Sequence, residues 1–324
     1  MPSSPVRPDA ATRAAPGRLH VVPVPGPGAE DVLVGPDGRV WTGTADGSVL
    51  AVSPDGDTVS RVCRTGGRPL GLEWLPDGRL LVCDARRGLL AVDPANGAIE
   101  VLVDLVDGVP MRFCNNAAVS RDGTLWFTDS SREFGIDAWK DDLVAHTRSG
   151  RLLRRDPDGT VTTVLDGLAF ANGVALAADE SAVFVAETAT CRVVRHDLRP
   201  TTTGLRTTPF ARVPGHPDNL SLGTDGLVWV TVASPPNPVL GRLQRSSERV
   251  RRLALRIPER LKPRPERTVR VTAYRLDGTL AHDVSLDASS WHMATGVREH
   301  GGRVWLGSLE EPAVAWFDLR GSLS

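Results

Sequence analysis

Four oxygen-bearing side chains, Glu30, Asn115, Asn172 and Asp218, occupy one position of a phrase that recurs along this 324-residue chain. Each lies eight residues before a turn anchor, at Gly38, Gly123, Glu180 and Gly226. Two further anchors, Gly78 and Gly302, place Leu70 and Ala294 in the same column. Four of the six asparagines, Asn115, Asn116, Asn172 and Asn219, fall in the column or directly after it. Two carboxylates and two neutral amides make a hard, all-oxygen donor set. Such a set suits Ca²⁺, which accepts several oxygens at ~2.3–2.6 Å in flexible geometry. Mg²⁺ demands a tighter octahedron, and zinc usually takes His or Cys, neither of which stands in the column. A Ca²⁺ site is therefore expected, with other divalent cations left open. The plainer alternative is a ring of structural polar groups with waters.

For these residues to meet, the chain must bring together positions far apart in sequence. The phrase supplies the means: an alternating apolar run, a Gly-containing turn, a strand with Trp, Leu or Phe, then a second hairpin. Its middle strands begin at Arg39, Arg79, Thr124, Ala182, Leu227 and Arg303. Short period-two strands bounded by Asp-Gly and Gly-Gly turns, at roughly 40–45 residues per unit, predict propeller blades. The fold class expected is all-β, a six-bladed β-propeller whose first strands line a central channel. The last unit ends one outer strand short, and Arg18–Val24 is a lone strand before the first. It is expected to complete the sixth blade and close the ring. Residues 1–18 read as a disordered lead and 19–320 as one propeller domain. Insertions near 132–148 and 237–267 are expected to cap the channel mouth that carries the ring. The second, with apolar residues at Leu240, Leu243, Val250, Leu253, Leu255 and Ile257, predicts a short basic amphipathic helix.

Composition narrows the function. The chain carries 38 Lys+Arg against 39 Asp+Glu, a near balance that argues against nucleic-acid binding. No apolar run is long enough to span a membrane, and no secretory h-region precedes the first strand, so a cytoplasmic protein is expected. Cys63, Cys83, Cys114 and Cys191 form no Cys-x-x-Cys pair and read as reduced thiols. Motifs of serine hydrolases, nucleotide-binding loops and zinc proteases are missing from the sequence. His216 and His292 lie near the ring by register. Either could shuttle a proton, and either could be a hydrogen-bonded structural residue. Trp291 and Phe113 are candidates for an apolar pocket wall, with core packing equally open for Phe113. Leu70, Asn116, Asn219 and Thr295 complete the expected substrate pocket.

At GAEDVLV (Gly28–Val34), RFCNNAAVSRDGTLWFTDSS (Arg112–Ser131), ANGVALAADE (Ala171–Glu180) and PGHPDNLSL (Pro214–Leu222), the sequence resembles the strictosidine synthase-like branch of the calcium propellers. That group also includes gluconolactonases of the SMP-30 type, paraoxonases and phosphotriesterase-type lactonases. RPLGL at Arg68–Leu72 and GGRVWLGSL at Gly301–Leu309 extend the likeness through all six units. The resemblance implies a Ca²⁺ held in the channel by Glu30, Asn115, Asn172 and Asp218, and hydrolysis of a lactone or related ester. Asp218 could act there as base or as nucleophile. Two departures limit the transfer. Thr295 stands where strictosidine synthases carry a Glu, so strictosidine formation is not expected. Leu70 stands where paraoxonases carry a His, which removes their route to an activated water. A metal-templated cyclase or condensing enzyme and a non-catalytic binding propeller remain alternatives. The expected partner is a small molecule.

Overall fold

The computed structural model describes residues 17–199, 204, 206–258, 262 and 265–319. Most of the expected N-terminal lead, and parts of the second insertion at 259–261 and 263–264, lie outside the described residues. Six four-stranded antiparallel sheets follow one another around the channel. Their inner strands are Leu33–Val34, Pro69–Trp74, Cys114–Val119, Ala171–Leu176, His216–Leu222 and Ala294–His300. The chain is thus a six-bladed β-propeller. His20–Pro23 pairs antiparallel with Ala313–Trp316 and supplies the outer strand of the sixth blade. Val22 and Val24 then pack with Val40 and Val52 of the first blade and Trp305 and Val314 of the sixth. Ring closure thereby removes two free sheet edges and buries apolar surface at once.

The blades form where the sequence alternates, and they turn where it offers Asp-Gly. The Oδ1 atoms of Asp37, Asp77, Asp122 and Asp225 each accept from the backbone N–H two residues on, at 2.9–3.1 Å. The glycines between donor and acceptor sit at φ 78–87°, a conformation that costs Gly nothing. Glu180 makes the same left-handed turn in the fourth blade, at φ 53°. In the sixth blade the turn contracts to Gly301-Gly302, between His300 and Arg303. This shortening moves that blade's register by one residue, with consequences for the ring.

Adjacent blades share apolar layers. Leu81, Leu89 and Ala91 of the second interlock with Ala117, Phe127 and Leu153 of the third, for instance. These layers make the channel wall a rigid support for whatever its inner strands carry.

Candidate metal and substrate site

In five inner strands the ladder slips by one residue. Pairing passes from Pro69 to Leu72, Cys114 to Ala117, Ala171 to Val174, Pro217 to Leu220 and Ala294 to Val297, while the partner strand advances only two residues. Such a bulge breaks strict alternation and re-aims two consecutive side chains. The pairs so released are Leu70-Gly71, Asn115-Asn116, Asn172-Gly173, Asp218-Asn219 and Thr295-Gly296. Glu30-Asp31 holds the matching place in the first blade, where the Glu30 N–H donates to the Gly43 carbonyl at 3.2 Å. The sixth member of the column is therefore Thr295, and not Ala294 as counting back from Gly302 gives.

The second residue of each pair alternates between a polar side chain (Asp31, Asn116, Asn219) and glycine (Gly71, Gly173, Gly296). The reason is steric. A Cβ on Gly71, Gly173 or Gly296 would stand 2.6 Å from the Cα of Asn116, Asn219 or Asp31 on the following blade. Even blades thus carry glycine so that odd blades can place a polar group across them. Asp31 accepts from the Leu72 N–H at 3.0 Å and Asn116 Oδ1 from the Val174 N–H at 3.2 Å, tying blades together below the ring.

The first residues face upward. Glu30, Asn115, Asn172 and Asp218 line one cavity of ≈ 250 Å³, together with Leu70, Phe113 and His216. Glu30, Asn115 and Asn172 are buried, whereas Asp218 is partly buried and faces the cavity. Two hydroxyls fix the amides. Asn115 Nδ2 donates to Ser130 Oγ at 2.9 Å, and Asn172 Nδ2 donates to Thr188 Oγ1 at 3.2 Å. Each hydroxyl in turn donates to a carbonyl of the next blade, Ala171 at 2.6 Å and Pro217 at 2.8 Å. Both amides therefore present their oxygens to the channel. Glu30 Oε1 accepts from Asn219 Nδ2 at 3.1 Å. Glu30 Oε2, Asn115 Oδ1 and Asn172 Oδ1 are buried with no donor among the described residues. An unpartnered buried oxygen costs ~1–3 kcal/mol, so three in one ring call for a positive or proton-donating occupant. A hard cation fits these donors.

Electrostatics agree with that fit. Burial raises the Glu30 carboxyl well above its ordinary value, and Asp218 and Asp31 raise it further; Arg68 opposes them. Asp218 is pushed up to about 7, by burial first and with a contribution from Asp31, against the hydrogen bond from Asn172. Asp31 rises to about 6, again by burial, with Arg298 opposing. Three acids crowded in a channel hold their protons more tightly than free carboxylates do, and a bound cation would take the place of those protons.

His216 stands beside Asp218 on the cavity wall. Its Nδ1 lies 2.9 Å from the Thr188 carbonyl, which can only accept, so Nδ1 carries the proton and Nε2 the lone pair. Nε2 has no partner among the described residues.

Above this floor lies a helical roof. Helix α1 (Trp139–Ala145) comes from the first insertion; α2 (Pro238–Gln244) and α3 (Glu248–Ala254) come from the second. One helix is expected there from sequence, but the chain breaks between α2 and α3 at Arg245–Ser247. Gln244 Nε2 donates to the Leu143 carbonyl at 3.0 Å and Arg251 Nε to the Ala145 carbonyl at 2.9 Å, lashing the second insertion to the first. Ile136, Trp139, Leu143 and Val144 from one insertion, and Val239, Leu240, Leu243, Ala254 and Ile257 from the other, face the cavity.

Several expected pocket residues lie elsewhere. Trp291 is fully buried in the packing of the fifth and sixth blades, its indole N–H donating to the Ala313 carbonyl at 3.0 Å. His292 does not border the cavity; its Nδ1 meets Glu311, and its Nε2 lies 3.2 Å from Glu310 and from Arg267. Asn116, Asn219 and Thr295 sit below the floor, where Thr295 Oγ1 donates to the Glu30 carbonyl at 2.8 Å. The cavity instead gains Phe170, Met293 and Leu309. Phe170 and Met293 immediately precede inner strands and have φ 63° and 57°. Both lie at the cavity end of their strands, in a left-handed backbone conformation that is uncommon for residues with a side chain.

The sequence profile of the SMP-30/gluconolactonase/LRE-like region matches residues 46–255, and that of the strictosidine synthase-like N-terminal region matches 18–52. The chain belongs to the SMP-30/gluconolactonase/LRE-like family. Among curated relatives, it is 31% identical to strictosidine synthase-like 10 of Arabidopsis thaliana, over 90% of this chain and 83% of that protein. It is 30% identical to the adipocyte plasma membrane-associated protein of Salmo salar, over 90% of this chain and 77% of that protein. Solved structures share the fold. A Xanthomonas campestris gluconolactonase superposes with a TM-score of 0.69 at 20% identity, covering 95% of this chain and 92% of that one. A calcium-binding regucalcin from Agrobacterium tumefaciens gives 0.64 at 16%, covering 93% and 92%. No described helix is long and apolar enough to cross a membrane.

Proposed function

We propose that this family member is a metal-dependent hydrolase that opens a lactone or related ester, with Glu30, Asn115, Asn172 and Asp218 holding Ca²⁺. The observation that carries the reading is the ring itself: three buried oxygens without donors among the described residues, on side chains that line one cavity together with the partly buried carboxylate of Asp218. A Ca²⁺ ion bound there would supply Lewis-acid polarisation of the substrate carbonyl and stabilisation of its developing oxyanion. Asp218, open to the cavity, positions the substrate's reacting end. His216 takes the part of general base. Its Nδ1–H is anchored on Thr188, which leaves Nε2 as the lone-pair nitrogen able to accept a proton from water. The role that Leu70 cannot fill in the second blade is thereby taken up in the fifth. Ser130 and Thr188 keep the two amides turned toward the ion.

A condensation of the strictosidine type finds no support, because the Thr295 hydroxyl is committed to the Glu30 carbonyl below the floor. The names of the gluconolactonase and regucalcin neighbours favour the lactonase reading over a purely structural ring. Steady-state hydrolysis of a lactone panel, with CaCl₂ and with chelator, tests it. Turnover that disappears with chelator and returns with Ca²⁺ is expected. Absence of turnover across aliphatic, aromatic and sugar lactones with Ca²⁺ present would overturn it.

A further inference from the structure

The reacting end and the far end of the cavity ask for different chemistry. The floor offers oxygens and an imidazole. The roof offers Trp139, Leu143, Val144, Leu240, Leu243 and Ile257. Phe113 and Phe170 continue this apolar surface down one wall, packed edge to face at 5.4 Å and joined to Leu143 in one cluster. Among the described residues, Asn237, Lys262 and Lys140 of the cap, which border the cavity, are already engaged. The Asn237 side chain accepts from the Val239 and Leu240 N–H groups at 2.9 and 3.0 Å, capping α2. Lys262 meets Asp141 of α1, and Lys140 lies over the Trp139 ring at 5.5 Å. A polyhydroxylated ligand would turn its hydroxyls onto hydrocarbon, and hydroxyls left unsatisfied against an apolar wall weaken binding.

We infer that the substrate is amphiphilic, a lactone or ester head group attached to an unbranched alkyl or aryl tail that lies under the helical roof, rather than a sugar lactone. The head-group half rests on the hydrolase reading above. The tail half rests on the roof alone, so the two can fail separately. Each methylene moved from water to an apolar wall strengthens binding roughly fourfold until the roof is filled.

The test uses the full-length protein with CaCl₂ and a homologous series of γ-lactams, from pyrrolidin-2-one to its 5-hexyl derivative, which keep the head-group shape and resist hydrolysis. Their dissociation constants are read by calorimetry. The matching γ-lactones and δ-gluconolactone are assayed for turnover in parallel. Affinity rising roughly fourfold per methylene over at least three additions supports the inference. Leu243→Asn and Val144→Asn should each flatten that slope. If the lactams show the slope but no lactone is hydrolysed, the tail site stands and the hydrolase reading falls. If affinity is flat along the series, or δ-gluconolactone is turned over with a higher kcat/KM than the hexyl lactone, the inference is overturned even though hydrolysis stands.

Discussion

Asn172 on the floor and Leu243 on the roof face the same cavity, yet they are held in different ways. Asn172 lies in a β-bulge of a central strand, 2% exposed, with its amide fixed by Thr188 and glycine beside it to admit the next blade. Leu243 belongs to a seven-residue helix with no buried residue, which leans on another helix of the same length. Isolated helices that short are marginal in water, so the roof owes its shape to a few tertiary contacts. The difference separates two tasks. Groups that must meet within tenths of an ångström sit on the rigid scaffold, and groups that select a substrate sit on insertions that can vary without disturbing it.

The contrast can be broken from either side. The largest effect is expected at the floor: Asp218→Ala should lower kcat/KM by at least ~10²–10³-fold, the range seen when one group stabilising a developing charge is removed. It should weaken Ca²⁺ binding in the same protein. Next, Ser130→Ala and Thr188→Val leave every ion ligand in place but free the amides to rotate. Each should reduce Ca²⁺ affinity by about 10–100-fold in a calorimetric titration, and unchanged affinity would mean that the amide oxygens do not face an ion. Gly173→Ala tests the scaffold. Its Cβ would stand 2.6 Å from the Asn219 Cα, so chemical denaturation should show a loss of about 1–3 kcal/mol. At the roof, Gln244→Ala removes one hydrogen bond to α1 and should cost only about 0.5–1.5 kcal/mol, with Ca²⁺ affinity unaltered.

Protonation sharpens the same comparison. Asp218, raised to about 7, and Glu30, raised by burial, bind protons more tightly in the calcium-free folded protein than in the unfolded chain. A raised acid stabilises the fold below its unfolded value near 4, and that stability is lost as pH climbs toward 7. The chelated protein should therefore melt at a falling temperature from pH 5 to pH 8. With saturating Ca²⁺ the fall should flatten, because the ion replaces the protons.

Much of the floor is legible in the sequence because its signals are local. Period-two strands and Asp-Gly turns mark the blades, and a constant offset from those turns picks out Glu30, Asn115, Asn172 and Asp218. The offset fails in the sixth blade because Gly301-Gly302 makes a shorter turn, so Thr295 takes the place that counting gives to Ala294. The alternation of Asp31, Asn116 and Asn219 with Gly71, Gly173 and Gly296 is also written in the chain. Its meaning depends on a bulge that places both residues off the pleat, which no periodicity reveals. Direction is the hardest property to read. Trp291 and His292 stand next to the cavity in sequence, yet Met293, in a left-handed backbone conformation, lines the cavity and they do not. The roof shows as insertions with apolar content, but the break at Arg245–Ser247 and the lashing of α2 and α3 to α1 are tertiary and leave no spacing signal.

Whether the ring holds a cation is tested most directly by metal analysis of the purified protein, paired with thermal melts in chelator and in excess CaCl₂. One Ca²⁺ per chain is expected. At a hundredfold excess over Kd, binding adds about 2.7 kcal/mol and should raise the melting temperature by about 4 °C. A protein that carries no divalent ion, and melts at the same temperature with Ca²⁺ as with chelator, would contradict the account.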